Sequence, residues 1–103
     1  MDEKDFALRL ARLREQKGVS ARDMSLSLVQ NPGYINNIEL GKLKPSLSGI
    51  LFICDYFGLT PSEFFDMGTT SPIRLKGLIE DLNMLNNRQL DTVSALVKEM
   101  IKR

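Results

Sequence analysis

The sequence predicts an all-α fold on three observations. Apolar residues recur three and four positions apart through most of the chain, which is the spacing of one buried helical face. These stretches are bracketed by helix punctuation: Ser, Thr or Asn before them, and Gly18, Gly41 or Gly58 after several. No stretch alternates apolar and polar residues as a half-buried strand would.

The elements follow in order. Helix 1 runs from about Asp5 to Lys17, with Phe6, Leu10 and Leu13 inward and Arg9, Arg12 and Lys17 expected in solvent. Gly18 ends it in a left-handed conformation, with Val19 folding back. Ser20 caps helix 2, about Ala21 to Leu28, with Asp23 three residues on. Asn31 caps helix 3, Pro32 takes its first position, and Leu40 is its last residue. Lys42 to Pro45 form a basic loop. Ser46 opens helix 4, whose stripe is Leu47, Ile50, Leu51, Cys54 and Phe57. Thr60-Pro61-Ser62-Glu63 is a capping box opening a short helix 5 with Phe64 and Phe65. Gly68 to Ser71 is the one linker-like stretch. The expected organisation is therefore a domain over 1–67, a linker over 68–71, and a helical hairpin over 72–103. Helix 6 carries Leu75, Leu78, Ile79 and Leu82. Helix 7, capped by Asn86 or Asn87, carries Leu90, Val93, Leu96, Val97, Met100 and Ile101. Those six residues are the candidate dimer interface.

Composition excludes several functions. The chain has no histidine and one cysteine, Cys54, which falls on a helix stripe and is expected to be a buried thiol. No phosphate loop, catalytic constellation or metal-ligand set is present, so no enzyme activity, metal or cofactor is expected, and no small-molecule ligand is evident. No apolar run approaches the roughly 18 residues of a membrane span. The acidic start Met1-Asp2-Glu3-Lys4-Asp5 lacks a signal-peptide pattern, so a cytoplasmic protein is expected. The net charge is only +1. Residues 1–67 hold eight Lys/Arg and nine Asp/Glu, and residues 68–103 hold six and four. A nucleic-acid partner would require the positive charge to gather on one face.

The outward side of helix 3 offers Asn31, Gly33, Tyr34, Asn36 and Asn37. Asparagine can pair bidentately with adenine in the major groove. Gly33 permits close backbone approach. Tyr34 can offer its hydroxyl to a phosphate or its ring to a thymine methyl. Gly33, Tyr34, Asn36 and Asn37 are the candidate base readers. Arg22, Lys42 and Lys44 are placed for phosphates, with Ser20, Ala21 and Asn31 adding the free amides at the starts of helices 2 and 3.

Residues 6–66 resemble the Xre group of helix-turn-helix proteins, the Cro and phage-repressor type. The resemblance is carried by Phe6, Leu10, Leu13, Arg14, Gly18, Val19 and Ser20. It continues in the run Ile-x-x-Ile-Glu-x-Gly-Lys-x-x-Pro-Ser from Ile35 to Ser46, and in Phe57-Gly58-Leu59 and Phe64-Phe65. It implies a five-helix lambda-repressor-like domain with helix 3 in the major groove of double-stranded DNA and helix 2 across the backbone. It also implies an inter-helix ion pair of Arg14 and Glu39. The expected function is a small sequence-specific transcriptional regulator, a repressor, acting as a homodimer. The alternative is a protein-interaction or antitoxin-like module with weak or no DNA binding. Three positions depart from the group. Ala21 replaces the usual glutamine of helix 2, Ser25 an alanine, and Val29 the glycine of the turn. Because a left-handed conformation is costly for a β-branched residue, the turn at Val29 is expected to be built another way.

Overall fold

The structure is a computed structural model that describes residues 2–66, 68 and 71–102. Part of the expected linker, and Met67 at the expected domain end, lie outside these residues. The described residues form helices and no strand. The order is α1 (Glu3–Lys17), α2 (Ala21–Ser27), α3 (Tyr34–Glu39), α4 (Leu47–Phe57), α5 (Pro61–Phe64), α6 (Pro72–Leu82) and α7 (Asn87–Ile101). The chain divides into two compact units, Met1–Ile73 and Arg74–Arg103.

In the first unit, Leu10 and Leu13 of α1, Met24 of α2, Ile35 and Ile38 of α3, and Ile53 and Phe57 of α4 meet in one core with Phe64. Phe64 is fully buried, with the Phe6 ring 5.4 Å and the Phe57 ring 6.5 Å away between centroids. The core stripe of α4 is Ile53, Cys54 and Phe57, with Ile50 partly buried. Leu47 and Leu51, expected inward, are 74% and 45% exposed. They lie on the flank of a helix too short and too apolar for its stripe to be unique in sequence. Burial pushes the Cys54 thiol above its ordinary pKa, so the group stays neutral.

Arg9 corrects the expectation of a solvated α1 face. It is 4% exposed and donates to the carbonyl oxygens of Phe64 (2.7 Å), Glu63 (3.2 Å) and Asp66 (3.0 Å). These carbonyls lie at the end of α5 and just beyond it, where one guanidinium fork bonds all three.

Gly18, Gly41 and Gly58 all adopt positive φ at helix ends. Val29 does so as well, with φ 58°. The turn after α2 is therefore left-handed, contrary to expectation. The Val29 N–H donates to the Leu26 carbonyl and the Gln30 N–H to the Ser25 carbonyl, each at 3.0 Å. That paired pattern closes a helix end and needs one left-handed residue. The hydrogen bonds outweigh a backbone cost of about 1–3 kcal/mol. The Val29 side chain is 91% exposed, so little packing compensates. Val29→Asn, which tolerates this conformation, should raise stability by about 1 kcal/mol. An unchanged or lower urea midpoint would contradict the strain.

In the second unit, α7 opens with a capping box in which Asn86 accepts from the Gln89 N–H at 2.9 Å and Gln89 accepts from the Asn86 N–H at 3.0 Å. No residue of α7 is buried. Leu82, Leu85, Leu90 and Val93, flanking the turn between the helices, are half-buried.

Candidate nucleic-acid interface

α3 is six residues long and begins at Tyr34, two residues later than expected. Asn31, Pro32 and Gly33 form a turn instead. The Asn31 side-chain oxygen accepts from the Gly33 N–H at 3.1 Å, and the Tyr34 N–H donates to the Asn31 carbonyl at 3.1 Å. Asn31 thus braces the turn, and no side chain of the turn caps α3.

Ser25 of α2 takes over that role. Its hydroxyl donates to the Ala21 carbonyl at 2.7 Å and accepts from the Ile35 N–H at 3.0 Å. Ser25 is fully buried. It satisfies a first-turn amide of α3 and bonds α2 to α3 in one step. In the sequence Ser25 stands out only as a replacement for an alanine. The available signal was a hydroxyl on the buried face of a helix, which requires a partner.

The other end of α3 is held by Arg14. Its Nε and Nη2 donate to the two Glu39 carboxylate oxygens at 2.8 and 3.0 Å, and its Nη1 donates to the Val19 carbonyl at 3.0 Å. Donation to the Glu39 carboxylate raises the Arg14 pKa above its usual value. The bidentate pair ties α1, the loop before α2, and α3 together.

The expected contact residues divide over the surface. A Cβ built on Gly33 would lie 3.5 Å from the Asn37 amide nitrogen and 3.6 Å from the Asn31 amide oxygen, so these three positions form one cluster. The Asn37 carbonyl accepts from the Lys42 N–H at 2.8 Å, which folds the basic loop back beside that cluster. Tyr34 points elsewhere. Its ring packs on the core, and its hydroxyl would lie 2.7 Å from a Cβ at the buried Gly49. The side chain therefore braces the first turn of α4. Asn36 lines a hollow shared with Lys4, Ala7 and Leu8 of α1 and with Leu40. Ser20 is taken up as the α2 cap, accepting from the Asp23 N–H at 3.0 Å, and Ala21 packs partly against the core. Arg22 and Lys42 are exposed. Lys44 reaches Glu3 at 3.0 Å, a solvent-exposed pair that local spacing does not reveal because its partners are 41 positions apart.

The electrostatics are correspondingly modest. Of the eight cationic residues before the linker, Arg9 and Arg14 are engaged inside the fold. Lys17 lies 5.0 Å above the Tyr56 ring. No group of acidic, histidine or cysteine residues that could hold a metal occurs among the described residues. No helix among them is long and apolar enough to cross a membrane.

A family model described as a helix-turn-helix domain matches residues 8–67. The match spans more than half of the chain, and the chain belongs to this family, a class of DNA-binding domain rather than of enzyme. No curated protein and no solved structure matches it.

Two substitutions test how α3 is held. Ser25→Ala leaves the buried Ile35 N–H without a partner and should destabilise by about 1–3 kcal/mol. A loss below about 0.5 kcal/mol in denaturant titration would show that the bond is dispensable. Glu39→Ala strips a partly buried guanidinium of its partner and should lower stability by about 2–4 kcal/mol, less than a fully buried pair because some solvent reaches it. An unaltered melting temperature would mean the pair carries no stability.

Proposed function

We propose that this chain is a small sequence-specific regulator of the Xre type, a repressor, that binds operator DNA as a homodimer with α3 in the major groove. One observation carries the reading. Asn31, Gly33 and Asn37 form a polar cluster with minimal bulk where α3 begins, on a family fold that presents this helix to DNA. In this reading Asn37 pairs with adenine, Gly33 admits the DNA backbone or a base edge, and the Asn31 side-chain NH2 meets phosphate. Arg22, Lys42 and Lys44 supply the remaining phosphate contacts. Tyr34 serves mainly by holding α4 against α3, and Asn36 contributes at the margin.

Three cations per half-site give a salt dependence of about −3 in log affinity against log salt for each copy, which is shallow for a regulator. Two copies on adjacent half-sites would double it. Glu3 competes with phosphate for Lys44, so its removal should strengthen binding.

The test is binding to fragments of the gene's own promoter region across a salt series. Asn37→Ala should relax sequence preference at one base pair by about 1–3 kcal/mol, and Asn36→Ala should change it far less. Lys44→Ala should reduce the salt slope by about 1 for each copy, and Glu3→Gln should tighten binding at low salt. Absence of binding at low salt, or binding without sequence preference, would sink the reading.

A second reading is favoured by the near-neutral charge together with the internal engagement of Arg9 and Arg14. In it the chain is a protein-interaction or antitoxin-like module that keeps the fold with weak or no DNA binding. A stable protein partner co-purifying with a chain that has no affinity for DNA would favour it.

A further inference from the structure

Leu40, the C-cap of α3, is 58% exposed and packs neither in the core nor among the half-buried residues around it. An exposed leucine is ordinary by itself. Its place on the helix is not. The backbone is helical from Gly33 (φ −92°) to Leu40 (φ −83°). At about 100° per residue, Gly33 and Leu40 each fall within about 10° of the direction opposite the buried Ile35 and Ile38. Asn36 and Asn37 lie about 50° to either side. Leu40 therefore stands at the centre of the outward polar face. The helix end does not need its side chain. That end is closed by backbone bonds, from the Leu40 N–H to the Asn36 carbonyl (2.9 Å), the Gly41 N–H to the Ile38 carbonyl (3.0 Å) and the Lys42 N–H to the Asn37 carbonyl (2.8 Å). Leu8 of α1, 48% exposed, lines the same hollow as Leu40 and Asn36 and extends the apolar surface toward α1.

We propose that Leu40 is a specificity-determining residue that meets the 5-methyl group of a thymine in the bound DNA. This role rests on the placing of α3 in the major groove under the proposed function and adds to it a contact of a different chemistry. Leu40 lies at most about 4.5 Å along the helix from Asn37, against about 3.4 Å between stacked bases. The thymine then falls within one or two base pairs of the adenine that Asn37 pairs with.

Three arguments select a thymine methyl. Among the base edges of the major groove, donors and acceptors predominate, and thymine alone adds a methyl group. A leucine set against a ring nitrogen, carbonyl or amino group would strip its water and return no hydrogen bond. The same side chain thus favours thymine and penalises the other bases. Second, Tyr34, whose ring could also meet a methyl, is turned inward toward Gly49. Leu40 is the large apolar side chain left on the outer face of α3. Third, a protein seated on Leu40 would have to cover Asn36 and Asn37 as well, and buried amides need partners. A base edge supplies donors and acceptors beside the methyl.

The probe is a promoter-region fragment amplified with dUTP in place of dTTP, which keeps every base pair and removes every thymine methyl. The full wild-type chain should bind it about three- to tenfold more weakly than the dTTP fragment, as loss of one or two buried methyl-sized contacts implies. Leu40→Ala should bind the two fragments within about twofold of each other, because the methyl and the side chain act as one pair. Lys42→Ala should weaken both fragments alike and keep the wild-type ratio. Leu40→Ala should unfold at the wild-type urea concentration, since the side chain packs on no core residue. The wild-type comparison of the two fragments stands without any variant. Wild-type binding that ignores the methyl overturns the role of Leu40, as does a Leu40→Ala chain that keeps the full difference. Both leave sequence-specific binding standing. A wild-type chain that binds neither fragment at low salt defeats the DNA reading and Leu40's part in it together. A Leu40→Ala chain that binds DNA as the wild type does, yet sheds a co-purifying protein, assigns Leu40 to that protein and overturns the thymine contact.

Discussion

The first unit depends on holding a helix that is too short to hold itself. Six residues make little more than one and a half turns, and an isolated segment of that length is unstable in water. α3 lacks a side-chain cap from its own turn. Its stability comes from elsewhere in the fold: the Ser25 hydroxyl on the Ile35 amide of its first turn, the Arg14 fork on Glu39 at its last residue, and burial of Ile35 and Ile38 between them. These attachments reach α1 and α2, so the position of α3 reports the packing of the whole unit. A helix fixed in this way presents its outer polar side chains with little freedom to reorient. Recognition of a rigid duplex benefits from such preorganisation.

The same requirement explains the strained turn. α2 must end abruptly for the chain to reverse into α3, and the reversal needs one left-handed residue. Val29 fills that place at a backbone cost that glycine would avoid. Closing the carbonyls of Ser25 and Leu26 matters more than the strain. Ser25 serves both sides of this junction, through its backbone carbonyl in the turn and its hydroxyl on α3.

Charge is used sparingly. Arg9 satisfies the carbonyls that follow α5, Arg14 locks α3, and Lys44 leans on Glu3. Arg9 and Arg14 are therefore turned into the fold, and only exposed cations such as Arg22, Lys42 and Lys44 remain on the surface to meet a polyanion. A near-neutral domain of this kind gains more from duplicating its contacts than from strengthening each one, because paired sites add their binding through effective concentration.

Much of the fold was legible in the sequence because helix ends are local. Gly18, Gly41, Gly58, Ser20, Ser46, Thr60 and Asn86 mark ends that the structure reproduces, since a cap is satisfied within four residues of itself. The Arg14–Glu39 pair was reached through resemblance, and spacing alone could not have supplied it. What only the tertiary structure decided is long-range. It buried Arg9 against carbonyls 54 to 57 residues away, turned Tyr34 inward onto Gly49, and separated Asn36 from the Asn31–Gly33–Asn37 cluster. Helical periodicity states which residues share a face. It does not state what that face meets, and for Arg9, Tyr34 and Ser25 the partner determined the role.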